Sequence, residues 1–169
     1  MKTAVKLDEI TIRTELHSGD IGYVIYMHGN LYKKEYGYGI SMEAYIADGF
    51  SEFYKNYDPI MDRVWVAEYQ NKIVGFLLLM HRDNQAAQLR YFILDPDFRG
   101  IGLGKKMADF YLDYLKEKGY RSSYLWTTND LFTAAHIYKK MGFKLTEEFE
   151  STAFGKPLKE QRYDLILTD

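Results

Sequence analysis

The amino-acid sequence predicts a mixed α/β domain with the element order β-αα-βββ-α-β-α-ββ. Three observations carry this. Short runs of alternating hydrophobicity recur along the chain, stretches of helical spacing separate them, and one strand passes through a glycine-rich turn directly into a helix. The 169 residues contain no internal repeat, low-complexity tract or linker-like stretch, so they read as one domain spanning 1–169.

Ile10 to Leu16 alternates Ile10 and Ile12 with a more polar face, which predicts a first strand. Gly19 to Tyr57 is rich in aromatics, and predicts helices over Ile21–Glu35 and Met42–Asn56 with Tyr36-Gly37-Tyr38-Gly39 as the turn between them. Asp62–Glu68 and Lys72–Met80 form a hairpin pattern around Tyr69-Gln70-Asn71. Ala86–Leu94 is the next strand, with Leu89, Tyr91 and Ile93 expected on one face, and Asp95-Pro96-Asp97 ends it because proline cannot extend a ladder. Leu103–Lys118 places Leu103, Met107, Phe110, Tyr114 and Leu115 at helical spacing, with Gly119 as its C-cap. Ser123–Thr127 is a short strand and Ala134–Met141 a short helix ended by Gly142. Lys144–Glu150 and Arg162–Leu167 are the closing strands.

Composition removes several function classes. The formal net charge is −2 with both signs interspersed, unlike the basic excess of a nucleic-acid surface. The absence of cysteine excludes disulfides, thiol catalysis and cysteine-ligated metals. The longest apolar run, Ile73 to Met80, is too short to span a bilayer, and Met1 to Asp8 lack the apolar stretch of a signal peptide. The expectation is a cytoplasmic protein that binds neither nucleic acid nor membrane. Sixteen tyrosines suit half-buried positions and binding clefts.

The chemistry concentrates in Phe92-Ile93-Leu94-Asp95-Pro96-Asp97-Phe98-Arg99-Gly100-Ile101-Gly102-Leu103-Gly104-Lys105, a strand, a turn and a helix start. Glycines at alternate positions leave the backbone open where a helix begins, and N–H groups there converge on phosphate oxygens with help from the helix dipole. A P-loop would need glycine at Arg99 and Ser or Thr at Lys106. A dinucleotide fingerprint starting at Gly102 would need glycine at Met107. Both fail.

The pattern that fits is R/Q-x-x-G-x-G/A, here Arg99 to Gly104, and it resembles the GNAT superfamily of acyl-CoA-dependent N-acyltransferases. Ala134-Ala135-His136-Ile137-Tyr138-Lys139-Lys140-Met141-Gly142-Phe143 resembles that family's A-x-x-x-Y-x-x-x-G-F segment. The likeness covers Arg63 to Phe143; before that only the order of elements matches. His28 to Gly37 also resembles the GNAT domains of bacterial MarR–GNAT fusions, of which this chain would represent the catalytic half.

The resemblance implies a GNAT-like α/β (α+β) fold, with a mixed, mostly antiparallel sheet flanked by helices. It implies acetyl-CoA as co-substrate and no metal. The pantetheine arm would pair with Phe92, Ile93 and Leu94, and the pyrophosphate would sit on Gly100, Ile101, Gly102, Leu103, Gly104 and Lys105, with Arg99, Lys105 or Lys106 adding charge. Tyr138 matches the family's acid for the departing thiolate, and a backbone N–H near Phe92 or Ile93 would polarise the carbonyl. An alkylammonium has a pKa near ~10.4, so the amine must lose a proton before it attacks. Where some relatives carry a glutamate base on the fourth strand this chain has Gln88, which leaves Glu68, Glu35 and His28 as candidates. Where many relatives have a CoA-contacting asparagine this chain has Leu131, so either Asn129 substitutes from a slightly different turn or that contact is absent. Tyr32, Tyr36, Tyr38, Tyr45 and Trp126 are candidates for the acceptor cleft. The leading function is N-acetylation of a small-molecule, amino-acid or peptide amine; the alternative is an acyl-CoA sensor with little turnover. A homodimer is a frequent family form.

Overall fold

The hydrophobic pattern resolves into eleven regular elements in the computed structural model, which describes residues 5–168. They are β1 (Thr11–Arg13), α1 (Asp20–Tyr36), α2 (Ile40–Lys55), β2 (Arg63–Tyr69), β3 (Lys72–Arg82), β4 (Ala86–Leu94), α3 (Leu103–Glu117), β5 (Ser122–Thr128), α4 (Phe132–Lys140), β6 (Lys144–Ser151) and β7 (Leu158–Ile166). The strands form one sheet in the order β1-β2-β3-β4-β5-β7-β6. Every neighbouring pair is antiparallel except β4–β5, which is parallel. This is the mixed, mostly antiparallel sheet expected from the sequence. No helix of the described residues is long and apolar enough to cross a membrane.

Each face of the sheet carries its own core. On one, Leu77, Leu79, Ala87 and Leu89 pack with Leu103, Met107, Tyr111 and Leu115 of α3 and Tyr138 of α4. On the other, Val66, Phe76, Leu78 and Ile93 pack with Val24 and Met27 of α1 and Ile46, Phe50 and Phe53 of α2. β3, covered on both sides, is a continuous buried run from Ile73 to Met80.

Several boundaries differ from those the sequence suggests. β1 stops at Arg13 because its guanidinium donates to the Asp20 carboxylate at 2.7 Å and to Glu68 at 2.9 Å, folding the chain into a turn ahead of α1. α4 starts at Phe132, which is 78% exposed and so lies off the buried face of that helix. β7 begins at Leu158, and its half-buried polar segment Lys159–Arg162 is held by backbone pairing to β5 and β6.

β4 also departs from simple alternation. Leu89 faces the α3–α4 core, whereas Tyr91 and Ile93 face the α1–α2 core. The cause is a bulge: the β3–β4 register shifts between Phe76 and Leu78, and Tyr91 takes φ +56°. An extra residue on one strand reverses the alternation beyond it. Tyr91 is thereby turned against α2 at Gly49, its ring stacked on Phe50 at 4.1 Å and its buried hydroxyl without a hydrogen-bond partner among the described residues. A Cβ at Gly49 would stand 1.9 Å from that hydroxyl and 2.7 Å from Arg90 Nη2.

Gly49→Ala is therefore expected to destabilise the fold by about 1–3 kcal/mol, although alanine favours a helix interior by roughly 1 kcal/mol. Tyr91→Phe, which removes the orphaned hydroxyl, is expected to stabilise it by about 1 kcal/mol. Denaturant unfolding of both variants and their combination checks this. The double variant should recover part of the alanine loss, and strict additivity would place the clash elsewhere.

Candidate active site

The parallel strands β4 and β5 stay paired for only three positions, Ala86↔Ser122, Ala87↔Ser123 and Gln88↔Tyr124. Beyond these they part, and from Leu89 to Leu94 no strand of the described residues lies against the β5-side edge of β4. Two cavities open along this wedge.

The larger, of about 330 Å³, is bordered by Phe92, Ile93 and Leu94, by Arg99, Gly100, Gly102, Gly104 and Lys105, and by Tyr138. Gly100 (φ +77°) and Gly102 (φ +91°) bring the chain from β4 into α3 through left-handed backbone. Gly102 is the N-cap and supplies no side-chain bond, so the first N–H groups of α3 face the cavity mouth without a capping partner. A Cβ at Gly104 would meet Leu94 at 3.2 Å, so glycine keeps the floor open. Arg99 donates to the Leu94 carbonyl at 3.1 Å and pairs with Glu35 at 2.9 Å, tying α1 to the rim. Lys105 bonds Asp109 at 2.6 Å.

Two residues of the glycine turn point elsewhere. Leu103 is buried in the α3–α4 core and Ile101 packs against it, so neither borders the cavity with its side chain. Asn129 is likewise outside. Its Oδ1 accepts from the Lys159 N–H at 2.8 Å and its own N–H donates to the Lys159 carbonyl at 3.0 Å, closing the β5–β7 ladder. Leu131 borders both cavities instead.

The smaller cavity, of about 100 Å³, lies between α1, α2 and the β4–β5–β7 part of the sheet. His28, Gln88, Arg90, Tyr91, Trp126 and Glu160 contribute to its wall. Gln88 Oε1 accepts from Arg82 Nε at 3.0 Å, Arg82 Nη2 at 2.6 Å and the Tyr124 hydroxyl at 3.3 Å, so its amide nitrogen is the group left over. His28 donates through Nδ1 to the Val24 carbonyl at 2.8 Å, and burial holds its pKa down at about 4. Glu68 is remote from both cavities, on β2 beside Arg13.

Tyr32, Phe92, Leu131 and Tyr138 border both cavities. Tyr138 is 6% exposed, packs on Phe143 and Tyr163, and has its pKa raised by burial, which keeps the phenol protonated at neutral pH. Over this junction the α1–α2 turn meets the β6–β7 loop. The Tyr38 hydroxyl donates to Asp130, Lys156 pairs with Asp130 at 2.7 Å, and the Gly39 N–H donates to the Phe154 carbonyl at 3.1 Å. Arg90, Tyr91, Glu160 and Phe154 are cavity residues that sequence reasoning missed. Nothing in the local pattern separates Glu160 from Glu147, Glu148 and Glu150, and the closing strand that the sequence predicts begins only at Arg162, two positions beyond it. Among the described residues no three His, Asp or Glu side chains gather as a metal site.

Residues 26–143 match a protein-family profile described as the acetyltransferase (GNAT) family. The chain is 31% identical over 114 residues to the uncharacterized N-acetyltransferase YjgM of Escherichia coli, covering 65% of this chain and 68% of that one. It spans between 30% and 59% of the length of seven other curated relatives that it matches. Among solved structures, a GNAT-family acetyltransferase from Staphylococcus aureus superposes with a TM-score of 0.76 at 22% identity, over 94% of this chain and 99% of that one. The spermidine N-acetyltransferase of Vibrio cholerae, solved with CoA and spermine, superposes at 0.69 with 20% identity, over 94% and 96%.

Buried His28 makes a prediction about pH. Its pKa is about 4 in the fold against an ordinary 6.5. As pH falls the unfolded chain takes up this proton first, so stability is lost between those two values, by up to about 3 kcal/mol. Asp20, Asp130 and Asp164 have lowered pKa values and lose their contribution only below the ordinary 3.8. Denaturant unfolding followed from neutral pH down to about 4 should show the fall. His28→Phe should flatten it, and an undiminished slope in that variant would assign the effect to another group.

Proposed function

This chain belongs to the acetyltransferase (GNAT) family and is an acetyl-CoA-dependent N-acetyltransferase; from that premise we propose that it acetylates a primary amine of a small molecule, amino acid or peptide by direct attack. One observation carries the proposal: two cavities, one walled by a glycine cradle and a free strand edge, the other by aromatic and charged side chains, meet at Tyr138.

The residues fit the co-substrate. Leu89 to Leu94 of β4 present an unpaired edge to which an extended pantetheine arm can add as a strand does. Gly100, Gly102 and Gly104 leave room for the pyrophosphate beside the first N–H groups of α3. Glu35 holds Arg99 at this rim, and Arg99 adds positive charge there. Acetyl-CoA supplies an activated acetyl group as a thioester.

The amine lone pair forms the new C–N bond as the C–S bond breaks, and the sulfur keeps the electron pair. Tyr138 then protonates that sulfur and recovers a proton from solvent, so the ammonium yields an amide, a thiol and one released proton. Gln88 cannot accept a proton, Glu68 is remote and Glu35 is paired with Arg99. His28 borders the acceptor cavity, and burial holds its pKa at about 4, far below that of an alkylammonium. The neutral fraction of the free amine is then the nucleophile, and kcat/KM should climb about tenfold per pH unit below the amine's pKa. A plateau near neutrality would show a dedicated base.

The assay is thiol release from acetyl-CoA with a panel of amines; the protein contains no cysteine and adds no thiol background. Tyr138→Phe should lower kcat by about 10²-fold while acetyl-CoA still raises the melting temperature as in the wild type. An unchanged kcat removes the acid role. Saturable CoA binding without release for any amine would favour the sensing alternative.

A further inference from the structure

The acceptor cavity holds two formal charges that the protein leaves unbalanced. Arg90, on β4, lies over the Tyr91 ring at 4.7 Å and reaches the Met80 sulfur at 3.9 Å. No carboxylate of the described residues pairs with it, nor with Arg63 or Arg121, whereas Arg13, Arg82, Arg99 and Arg162 each have such a partner; of the three without one, Arg90 borders the cavity. Glu160, half-buried on β7 and paired in register with Thr128 of β5, likewise has no cationic partner among the described residues. A half-buried charge facing a cavity without a partner is costly unless a ligand supplies one.

The groups beside Arg90 have the same character. Gln88 Oε1 is saturated by Arg82 and Tyr124, so this side chain offers only N–H donors to the cavity. The Tyr91 hydroxyl is buried and unpartnered, on a residue held at φ +56° by the bulge. Backbone strain of about 1–3 kcal/mol and an unsatisfied hydroxyl at one residue of a cavity wall are characteristic of a binding position. The β4 wall thus presents a guanidinium whose one acceptor is a thioether sulfur and an amide N–H₂ with no acceptor of its own among the described residues. A carboxylate, which only accepts, is the complement of such a wall. Glu160 on the opposite side is the complement of an ammonium.

Resting on the acetyltransfer reading above and deepening it, we propose that the acceptor is an amino carboxylate, an amino acid or close analogue. Its carboxylate docks on Arg90 with Gln88, on the wall that strained Tyr91 shapes, and its amine lies toward Glu160 and Tyr138. A polyamine, which has cations at both ends, would set one of them against Arg90.

The test uses calorimetric titration of the CoA-saturated protein, so that binding is read independently of turnover. L-amino acids are titrated in pools, then each binder is compared with its own amide and with spermidine. Binding should weaken at least about tenfold when the carboxylate is amidated, and Arg90→Gln should abolish that difference while CoA still shifts the melting temperature as in the wild type. Glu160→Gln should weaken the amino acid and leave the preference for acid over amide in place. Thiol release with the same compounds should follow the same order in KM. Equal binding of acid and amide, tighter binding of spermidine, or no amino-acid binding at all would each overturn the amino carboxylate. Arg90-dependent binding without thiol release would leave this assignment standing and refute acetyltransfer instead.

Discussion

Two parallel strands that stop pairing after three residues set the terms for the whole molecule. At Gln88 and Tyr124 the β4–β5 ladder ends, and the backbone groups of β4 from Leu89 onward lose their neighbour on that side. Unpaired backbone polar groups next to a core are costly, so a sheet divided in this way is stable only if something else occupies the wedge. Helix α3 closes one side through its glycine-lined start. The aromatic side chains of α1 and α2 close the other. What remains open is a passage of two cavities, with Tyr138 at their junction.

The second constraint is the bulge at Arg90–Tyr91. An extra residue reverses the alternation of β4, so Ala87 and Leu89 serve one core while Tyr91 and Ile93 serve the other. It also places Arg90 and Tyr91 against Gly49, where α2 comes close enough that a methyl group would collide with them. The strain at Tyr91, the orphaned hydroxyl and the required glycine are one arrangement seen from three residues. Stability given up at this point shapes the wall of the smaller cavity.

The mouth is secured by contacts between segments distant in sequence. Tyr38 from the α1–α2 turn, Asp130 from the β5–α4 connection and Lys156 from the β6–β7 loop form one polar cluster, and Phe154 stacks on Tyr38 at 6.0 Å. Burial raises the Tyr38 pKa, so the hydroxyl remains a donor to Asp130. This network leaves the ceiling of the smaller cavity fixed by loops rather than by regular elements.

The sequence by itself determined the order of elements, the glycine turn from Arg99 to Lys105 and the position of Tyr138, because each is a local pattern whose physics is complete within a few residues. Alternation reports burial, glycine reports backbone freedom, and a helix start reports unpaired N–H groups. It also determined most of the helix and strand positions for the same reason. Tertiary structure alone decided what lines the smaller cavity. Asn129 was spent on closing a ladder with Lys159, Leu103 went into the core, and Arg90, Tyr91 and Glu160 became cavity residues. Those assignments depend on a bulge, on where two strands part and on which charges find partners across the sheet. Each of these is a non-local outcome: a charged residue in an exposed strand and one in a cavity wall have the same local sequence, and only the presence or absence of a neighbour tells them apart.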